Sequence, residues 1–236
     1  MNELLEILKS VNYAPFFVSL KLSIITTTIL FLVCVPFSWW LSQTKTRVKP
    51  FIESIVTLPL VLPPTVLGFY ILIIFSPINS PIGQFLDETF DVRLVFNFTG
   101  LVVASCVFSL PFMVQPIQSG FESLNKNILE ASYVSGKSKF TTILRVALPN
   151  IRPSLITALV ITFAHTMGEF GVVLLVGGIG ADTKVASISI YNAFEASDYM
   201  QAHVLSAILL FMSFAVLLTV YIFNKKRKSI KKGMLA

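Results

Sequence analysis

The chain has 236 residues, of which 55% are hydrophobic and 13% are charged, and its mean hydropathy is +0.80. This composition excludes an ordinary soluble domain, in which about 25% of the residues are charged. A formal net charge of +6 would by itself fit a nucleic-acid-binding protein, but the basic residues gather in loops between apolar segments, so we expect no nucleic-acid partner.

Four uncharged segments are each longer than the roughly 20 residues that a helix needs to cross about 30 Å of hydrocarbon. They cover residues 22–44, 54–86, 94–121 and 199–224. A fifth apolar run starts at residue 153 and reaches residue 176 if Glu169 is accepted within the membrane. The sequence therefore predicts an all-α integral membrane protein with about five transmembrane helices. The predicted spans are residues 13–41, 51–75, 97–119, 153–176 and 200–223.

Basic residues cluster after the first, third and fifth predicted spans, and these clusters contain fourteen of the eighteen lysines and arginines. The loops at residues 76–96 and 177–200 carry mainly acidic side chains. Because loops rich in Lys and Arg stay in the cytoplasm, we expect the N-terminus outside the membrane and the C-terminus in the cytoplasm. No linker or internal repeat divides the chain, so we interpret residues 1–236 as one domain.

The second predicted span holds three prolines and a glycine within residues 59–68. Prolines leave backbone carbonyls without partners, and irregular backbone at membrane depth is tolerated only against protein or a watery cavity. This segment is therefore expected to line a pathway or a subunit interface, the alternative being a proline-kinked helix that faces lipid. The candidate residues are Pro59, Pro63, Pro64, Thr65 and Gly68.

The fourth predicted span carries a carboxylate, Glu169, which costs at least about 2.5 kcal/mol at membrane depth unless it faces a cavity or a partner. We expect Glu169 to brace a helix break between Gly168 and Gly171 and, with Thr162 and Thr166, to shape a translocation path. The alternative is a charge that extends to the outer interface.

His165 and Glu169 are four residues apart, so the sequence places them on one helix face, where they would be able to bind a metal or relay protons. Two ligands make a weak metal site, and no HExxH pattern is present, so no metal is expected. Cys34 and Cys106 lie in separate spans without metal-ligand spacing and are expected to be apolar packing residues.

A polar, basic loop at about residues 120–152 separates the third and fourth predicted spans. Its spacing favours two short helices, at residues 121–134 and 139–149, joined at a Gly136 with positive φ. The motif within it runs Glu130-Ala131-Ser132, three residues, Gly136, nine residues, and Val146-Ala147-Leu148-Pro149.

This motif resembles the EAA loop of the permease subunits of binding-protein-dependent ABC importers, from which Ser132 and Val146 are small departures. The resemblance implies a type I ABC importer permease fold in which this loop docks on an ATPase subunit. The coupling residues that it implies are Glu130, Ala131, Ser132, Gly136, Leu148 and Pro149.

Residues 59–68 and the run Met167-Gly168-Glu169-Phe170-Gly171 are similar to segments typical of molybdate-importer permeases, so the likeness covers nearly the whole chain. It implies a permease that translocates molybdate, or a related oxyanion, across the bacterial cytoplasmic membrane. Tungstate and sulfate are the alternative substrates, because looser forms of both segments occur in those relatives. Weak donors along the route would be Thr65, Ser109, Thr162 and Thr166.

The run Gly136-Lys137-Ser138 resembles the end of a phosphate-binding loop, but Ala131 stands where that motif needs its first glycine. We therefore expect no ATPase site and no bound cofactor on this chain. The resemblance places ATP and Mg²⁺ on two ATP-binding partner subunits, and it implies a homodimer in the lipid bilayer that receives its substrate from an extracytoplasmic oxyanion-binding protein.

Two other functional classes fit parts of the sequence. One is a membrane-embedded enzyme that uses Glu169 and His165 with a Ser or Thr nucleophile, although the sequence shows no nucleophile in a Gly-rich setting. The other is an assembly or anchoring subunit that keeps the EAA-like loop without transporting anything.

The charge pattern gives a testable topology. A cysteine at position 88 should react with an impermeant thiol reagent in intact cells, whereas one at position 228 should react only after permeabilisation, because the basic cluster around it is expected to stay in the cytoplasm. The opposite labelling pattern would reverse the assigned orientation.

Overall fold

The computed structural model describes residues 11–177, 180 and 182–233, and these residues form helices joined by short loops. The helices are α1 (Ala14–Gln43), α2 (Lys49–Val61), α3 (Pro64–Phe75), α4 (Pro81–Phe90), α5 (Phe98–Glu122), α6 (Lys126–Val134), α7 (Lys139–Thr142), a π-helical turn (Ile143–Ala147), α8 (Leu148–Asn150), α9 (Arg152–Met167), α10 (Gly171–Gly177), α11 (Ala186–Glu195) and α12 (Tyr199–Gly233).

Three helical segments in the described part of the chain are long and apolar enough to cross a membrane: α1, α5 and Tyr199–Thr219 of α12. Two bent pairs pass the same test together, α2 with α3 at 113° and Lys139–Asn150 with α9 at 76°. The described part of the chain thus has up to five spans if each bent pair crosses once. The prediction of an all-α protein with about five spans is confirmed.

Helix α5 lies at the centre of the bundle and packs against α1, α2, α3, α9 and α10. Lipid tails are as apolar as leucine, so helices in a membrane associate by close packing and not by a hydrophobic driving force. Small residues on α5 permit that packing: Ala104 and Ser105 are fully buried, and a Cβ on Gly120 would lie 2.7 Å from the side chain of Ser154 on α9.

The second predicted span breaks between α2 and α3 at two consecutive prolines. A residue that precedes proline is driven out of the α region, and both Leu62 (ψ 137°) and Pro63 (ψ 137°) are extended. Pro64 then begins α3, where its missing N–H costs nothing. These two extended residues account for the 113° bend, so the span is not a continuous helix over residues 51–75.

The fourth predicted span is also broken, since α9 ends at Met167 and α10 begins at Gly171. The two breaks lie against each other through glycines. A Cβ on Gly171 would lie 2.8 Å from the Cβ of Pro64, and a Cβ on Gly68 would lie 3.1 Å from the Cα of Val172. The lack of a side chain at Gly68 and Gly171 therefore allows the backbones of α3 and α10 to come into contact.

Two helices outside the membrane spans add to the predicted architecture. Helix α4 follows the second span, begins where Ser80 Oγ accepts a hydrogen bond from the N–H of Ile82 at 3.1 Å, and was not predicted. Helix α11 lies within residues 177–200, the second of the two acidic loops, and packs on α1 and α12.

The first helix of the polar loop starts later than predicted. The prediction of a helix over residues 121–134 is wrong, because α5 continues to Glu122 and α6 begins only at Lys126. Asn125 is the N-cap of α6 and accepts a hydrogen bond from the N–H of Asn127 at 3.0 Å. The second helix starts at Lys139 as predicted and includes the unpredicted π turn.

The glycine contact between the two broken spans can be tested by adding one methyl group. Gly171→Ala should lower the stability of the protein by about 1–3 kcal/mol, the usual cost of overpacking, because the methyl would overlap Pro64. Gly168→Ala is the matched control three residues earlier, where the nearest atom to a new Cβ is 3.7 Å away. Thermal unfolding in detergent should show a clear loss for Gly171→Ala only, and equal melting temperatures for both variants would contradict the role of the contact.

Candidate functional site

Helices α6 and α7 form a hairpin whose turn depends on one backbone conformation. Gly136 has φ +74°, as predicted, and a Cβ at this position would meet nothing within 4 Å. Its N–H donates to the carbonyl of Tyr133 at 2.9 Å, and the N–H of Lys137 donates to the carbonyl of Ser132 at 3.2 Å. Glycine is therefore needed here for its backbone freedom and not for lack of space. We call residues 126–150 the coupling hairpin.

A buried hydrogen bond joins the two arms of the coupling hairpin. Ser132 Oγ on α6 lies 2.9 Å from Thr142 Oγ1 on α7, and both residues are buried. Ser132 is one of the two departures from the EAA pattern, and its hydroxyl is satisfied by a partner ten residues later. The hydroxyl group that this departure introduces therefore has a hydrogen-bond partner within the hairpin.

The remaining predicted coupling residues differ in exposure. Glu130, Ala131 and Pro149 are exposed, and Leu148 is half-buried. Two apolar residues beside the turn, Val134 (90% exposed) and Phe140 (71% exposed), complete the outer face of the hairpin and were missed in the sequence. The available signal was an apolar residue on each side of Gly136 in an otherwise polar loop.

The two helix breaks form the second part of the candidate site. Pro63, Pro64 and Thr65 are exposed at the bend, whereas Pro59 and Gly68 are buried within α2 and α3. Across from them Gly168 is exposed and Gly171 is half-buried. The structure therefore brings together the two segments that the sequence singled out separately.

Glu169 lies in the second break and is 4% exposed. Its Oε2 accepts a hydrogen bond from Ser105 Oγ on α5 at 2.9 Å, and its Oε1 has no partner among the described residues. Its backbone carbonyl accepts a hydrogen bond from Ser187 Oγ on α11 at 2.6 Å. One residue thus connects the break to two neighbouring helices.

His165 lies on α9, whereas Glu169 lies just beyond the end of this helix at Met167, so the two are not on one continuous helix, although both side chains contact α5. The ring of His165 contacts the rings of Phe108 and Phe112, with centroid distances of 4.7 and 4.0 Å. Its Nδ1 is 3.0 Å from Ser109 Oγ. The histidine and the carboxylate therefore contact different serines on α5.

The hydroxyl groups expected along the translocation route differ in exposure, since one is exposed and three are buried. Thr65 is exposed at the proline break. Ser109, Thr162 and Thr166 are buried, and Thr166 Oγ1 lies 3.0 Å from Ser109 Oγ and donates to the carbonyl of Thr162 at 2.9 Å. The Ser109 and Thr166 hydroxyls thus bond to protein groups, whereas Thr162 Oγ1 has no hydrogen-bond partner among the described residues.

Ser105 and Ser187 were not identified from the sequence as partners of Glu169. The available signal for Ser105 was its position four residues before Ser109 on an apolar span, which places two hydroxyls on one helix face. No comparable signal existed for Ser187, because its contact depends on how α11 folds back on the bundle.

Two solved transporters share this fold. A bacterial alginate ABC transporter in complex with an alginate pentasaccharide-bound periplasmic protein matches with a TM-score of 0.76 and 18% identity, over 90% of this chain and 78% of that chain. The MetNI methionine ABC transporter in an inward-facing conformation matches with a TM-score of 0.71 and 14% identity, over 90% of this chain and 94% of that chain. At these identities the likeness describes the fold.

Sequence relatives are more similar. The chain is 44% identical over 211 residues to the molybdenum transport system permease protein ModB of Azotobacter vinelandii, covering 89% of this chain and 93% of that protein. It is 29% identical over 184 residues to the sulfate transport system permease protein CysT of Salmonella typhimurium, covering 78% of this chain and 66% of that protein.

A family model described as binding-protein-dependent transport system inner membrane component matches residues 34–228, which include both helix breaks and the coupling hairpin. The chain belongs to this family of ABC importer permeases.

Proposed function

We propose that this protein is the permease subunit that translocates molybdate in an ABC importer of the bacterial cytoplasmic membrane. The observation that carries the proposal is the 44% identity to a molybdenum permease over 89% of the chain. The segments 59–68 and 167–171, whose likeness to molybdate permeases was noted in the sequence, are the two segments that pack together at the breaks. Tungstate or sulfate is the alternative substrate, and the sulfate permease relative supports it more weakly.

The coupling hairpin is proposed to dock on an ATPase subunit. The support is its exposed face, in which Glu130 and Ala131 lie beside the apolar side chains of Val134 and Phe140. A docked apolar side chain leaves water, which is worth about 25 cal/mol per Å² of buried surface. ATP and Mg²⁺ would be held by two such ATPase subunits, and this chain would contribute no ATPase site of its own.

The translocation route is proposed to pass the two breaks. Irregular backbone within a membrane is tolerated only where it contacts protein or water. The breaks expose Pro63, Pro64, Thr65 and Gly168, which would then face a water-filled route. A bare carboxylate would repel a doubly charged oxyanion, and Glu169 is turned away from solvent toward Ser105. The wall of the route would then consist of uncharged groups that bind the anion only weakly.

The remaining parts of the proposal concern the assembly. The permease would be one domain, residues 1–236, working as a homodimer with its N-terminus outside and its C-terminus in the cytoplasm. An extracytoplasmic binding protein would supply the anion and most of the specificity, because tight binding within the route would slow release.

A membrane-embedded enzyme is less well supported. Ser109 and His165 do lie 3.0 Å apart, a pairing that the sequence did not reveal. However, Ser109 is fully buried, and Glu169 hydrogen-bonds Ser105 and so does not orient His165. A nucleophile that no substrate reaches, and a base without an orienting group, do not make a catalytic constellation.

Uptake of labelled anions tests the proposed function. Cells that carry this chain with its ATPase and binding-protein partners should take up labelled molybdate, and cells that lack only this chain should not. Competition with unlabelled tungstate and sulfate would rank the three anions. Equal molybdate uptake with and without the chain would contradict the proposal.

The turn of the coupling hairpin gives a prediction for ATPase coupling. Gly136→Val should abolish molybdate uptake while the protein still inserts, because a β-branched residue at φ +74° is strained by about 1–3 kcal/mol. Gly136→Asn is the matched control, since asparagine tolerates this conformation and a side chain here meets no neighbour. Crosslinks from positions 135 and 137 to the ATPase should form in the Asn variant and weaken in the Val variant. Uptake at the wild-type rate in Gly136→Val would refute the coupling role.

The buried carboxylate gives a prediction for the pathway. Glu169→Gln should keep most of the uptake, since its amide oxygen can still accept the hydrogen bond from Ser105. Glu169→Leu leaves the Ser105 hydroxyl buried and unpaired, which costs about 1–3 kcal/mol, and should uncouple or misfold the protein. Glu88→Leu, at an exposed position on α4, controls for the loss of a charge. The pathway assignment fails if Glu169→Leu transports normally and cysteines across both breaks react only with lipid-phase reagents.

A further inference from the structure

A network of charged and amide side chains joins the first two turns of α2 to the last two turns of α5. Lys49 Nζ lies 2.8 Å from Glu122 Oε1 and 3.6 Å from Glu53 Oε1. Gln118 Nε2 donates to Glu53 Oε1 at 2.6 Å and to Glu122 Oε1 at 3.0 Å. We call these four residues the Lys49 network.

The Lys49 network lies between the coupling hairpin and the break in the second span. Glu122 is the last residue of α5, and residues 123–125 separate it from the first helix of the hairpin. Lys49 is the first residue of α2, which ends at the Leu62–Pro63 bend. A displacement of the hairpin that moves the end of α5 would therefore act on Lys49 and, through α2, on the break.

Helix α2 has few other attachments to the bundle. An apolar row, Ile52 and Val56, packs against α5, while Phe51, Ile55 and Val61 are exposed. A cavity of about 250 Å³ borders the network on the side of Glu53, Gln118 and Glu122. A second cavity of about 460 Å³ borders it on the side of Lys49, Glu122 and Glu130. With space on both sides, the polar contacts of Lys49 and Glu53 supplement this apolar row in holding the start of α2 on α5.

We propose that the Lys49 network transmits movement of the coupling hairpin to α2 and thereby sets the opening of the break at Pro63. This inference rests on the proposed transport function. Helix α3, beyond the break, is held by α10 through the contact of Gly171 with Pro64. If α2 follows α5 while α3 stays with α10, the movement concentrates at the two extended residues Leu62 and Pro63. Lys49 and Glu122 are thus positioning residues that do not touch the substrate.

The test uses the complete transporter, with its ATPase and binding-protein subunits, reconstituted in lipid vesicles. The measured quantity is the amount of molybdate taken up per ATP hydrolysed. Glu122→Lys should lower this ratio about two- to five-fold, the range open to an exposed ion pair, with unchanged protein yield. The charge swap Lys49→Glu with Glu122→Lys should restore most of the ratio, which loss of packing alone would not explain.

A matched control is the Arg93–Asp87 ion pair, which also has an N–O distance of 2.8 Å but joins α4 to the loop before α5. Asp87→Lys should leave the ratio unchanged. If Glu122→Lys does not assemble, Glu122→Gln removes only the charge, and a lower ratio is still expected. A wild-type ratio in the Glu122 variant, or a charge swap that restores nothing, would overturn the inference. Absence of uptake by the unaltered transporter would instead overturn the proposed function and this inference with it.

Discussion

The close approach of two backbone segments at Gly68 and Gly171 is the contact on which the rest of this structure depends. With a Cβ on either glycine, α3 and α10 would have to separate by several tenths of an ångström. Since the fold of a membrane protein is held by packing and not by expulsion of water, such a separation would loosen both broken spans at once. The contact also joins α3 and α10 into one unit, and α2 and α9 precede the two breaks that lead into it.

Helix α5 supplies the polar partners that this unit requires. Ser105 donates a hydrogen bond to Glu169 Oε2, and Ser109, one helical turn later, contacts both His165 and Thr166. Unsatisfied polar groups are expensive in a bilayer, so these contacts fix the register of α5 against the fourth span. The same helix ends at Glu122 beside the coupling hairpin. A single continuous helix therefore reaches from the buried carboxylate to the surface proposed to meet the ATPase.

The features that the sequence predicted are those with local causes. The positive φ of Gly136 and the irregular backbone after Pro59 follow from the chemistry of glycine and proline, so a short window of sequence was enough. The partner of Glu169 and the meeting of the two breaks depend on residues 64 or more positions apart, and no local pattern specifies them. Helix α4 was missed for a different reason. It lies partly inside a long uncharged stretch, and its Ser80-Pro81 start signal was hidden within what read as membrane-spanning sequence.

The π turn at Ile143–Ala147 has a consequence for how relatives of this protein align. The N–H of Leu148 donates to the carbonyl of Ile143, five residues earlier, so this turn holds one residue more than an α-helical turn. Removing that residue would restore ordinary winding while leaving the flanking faces of the hairpin in register. Nine residues between Gly136 and Val146 are therefore not the only number that would give the hairpin this surface. A homologue with eight residues in this interval would present the same hairpin surface. The gap in its sequence alignment would then reflect a change from π-helical to α-helical winding and not the loss of a loop residue.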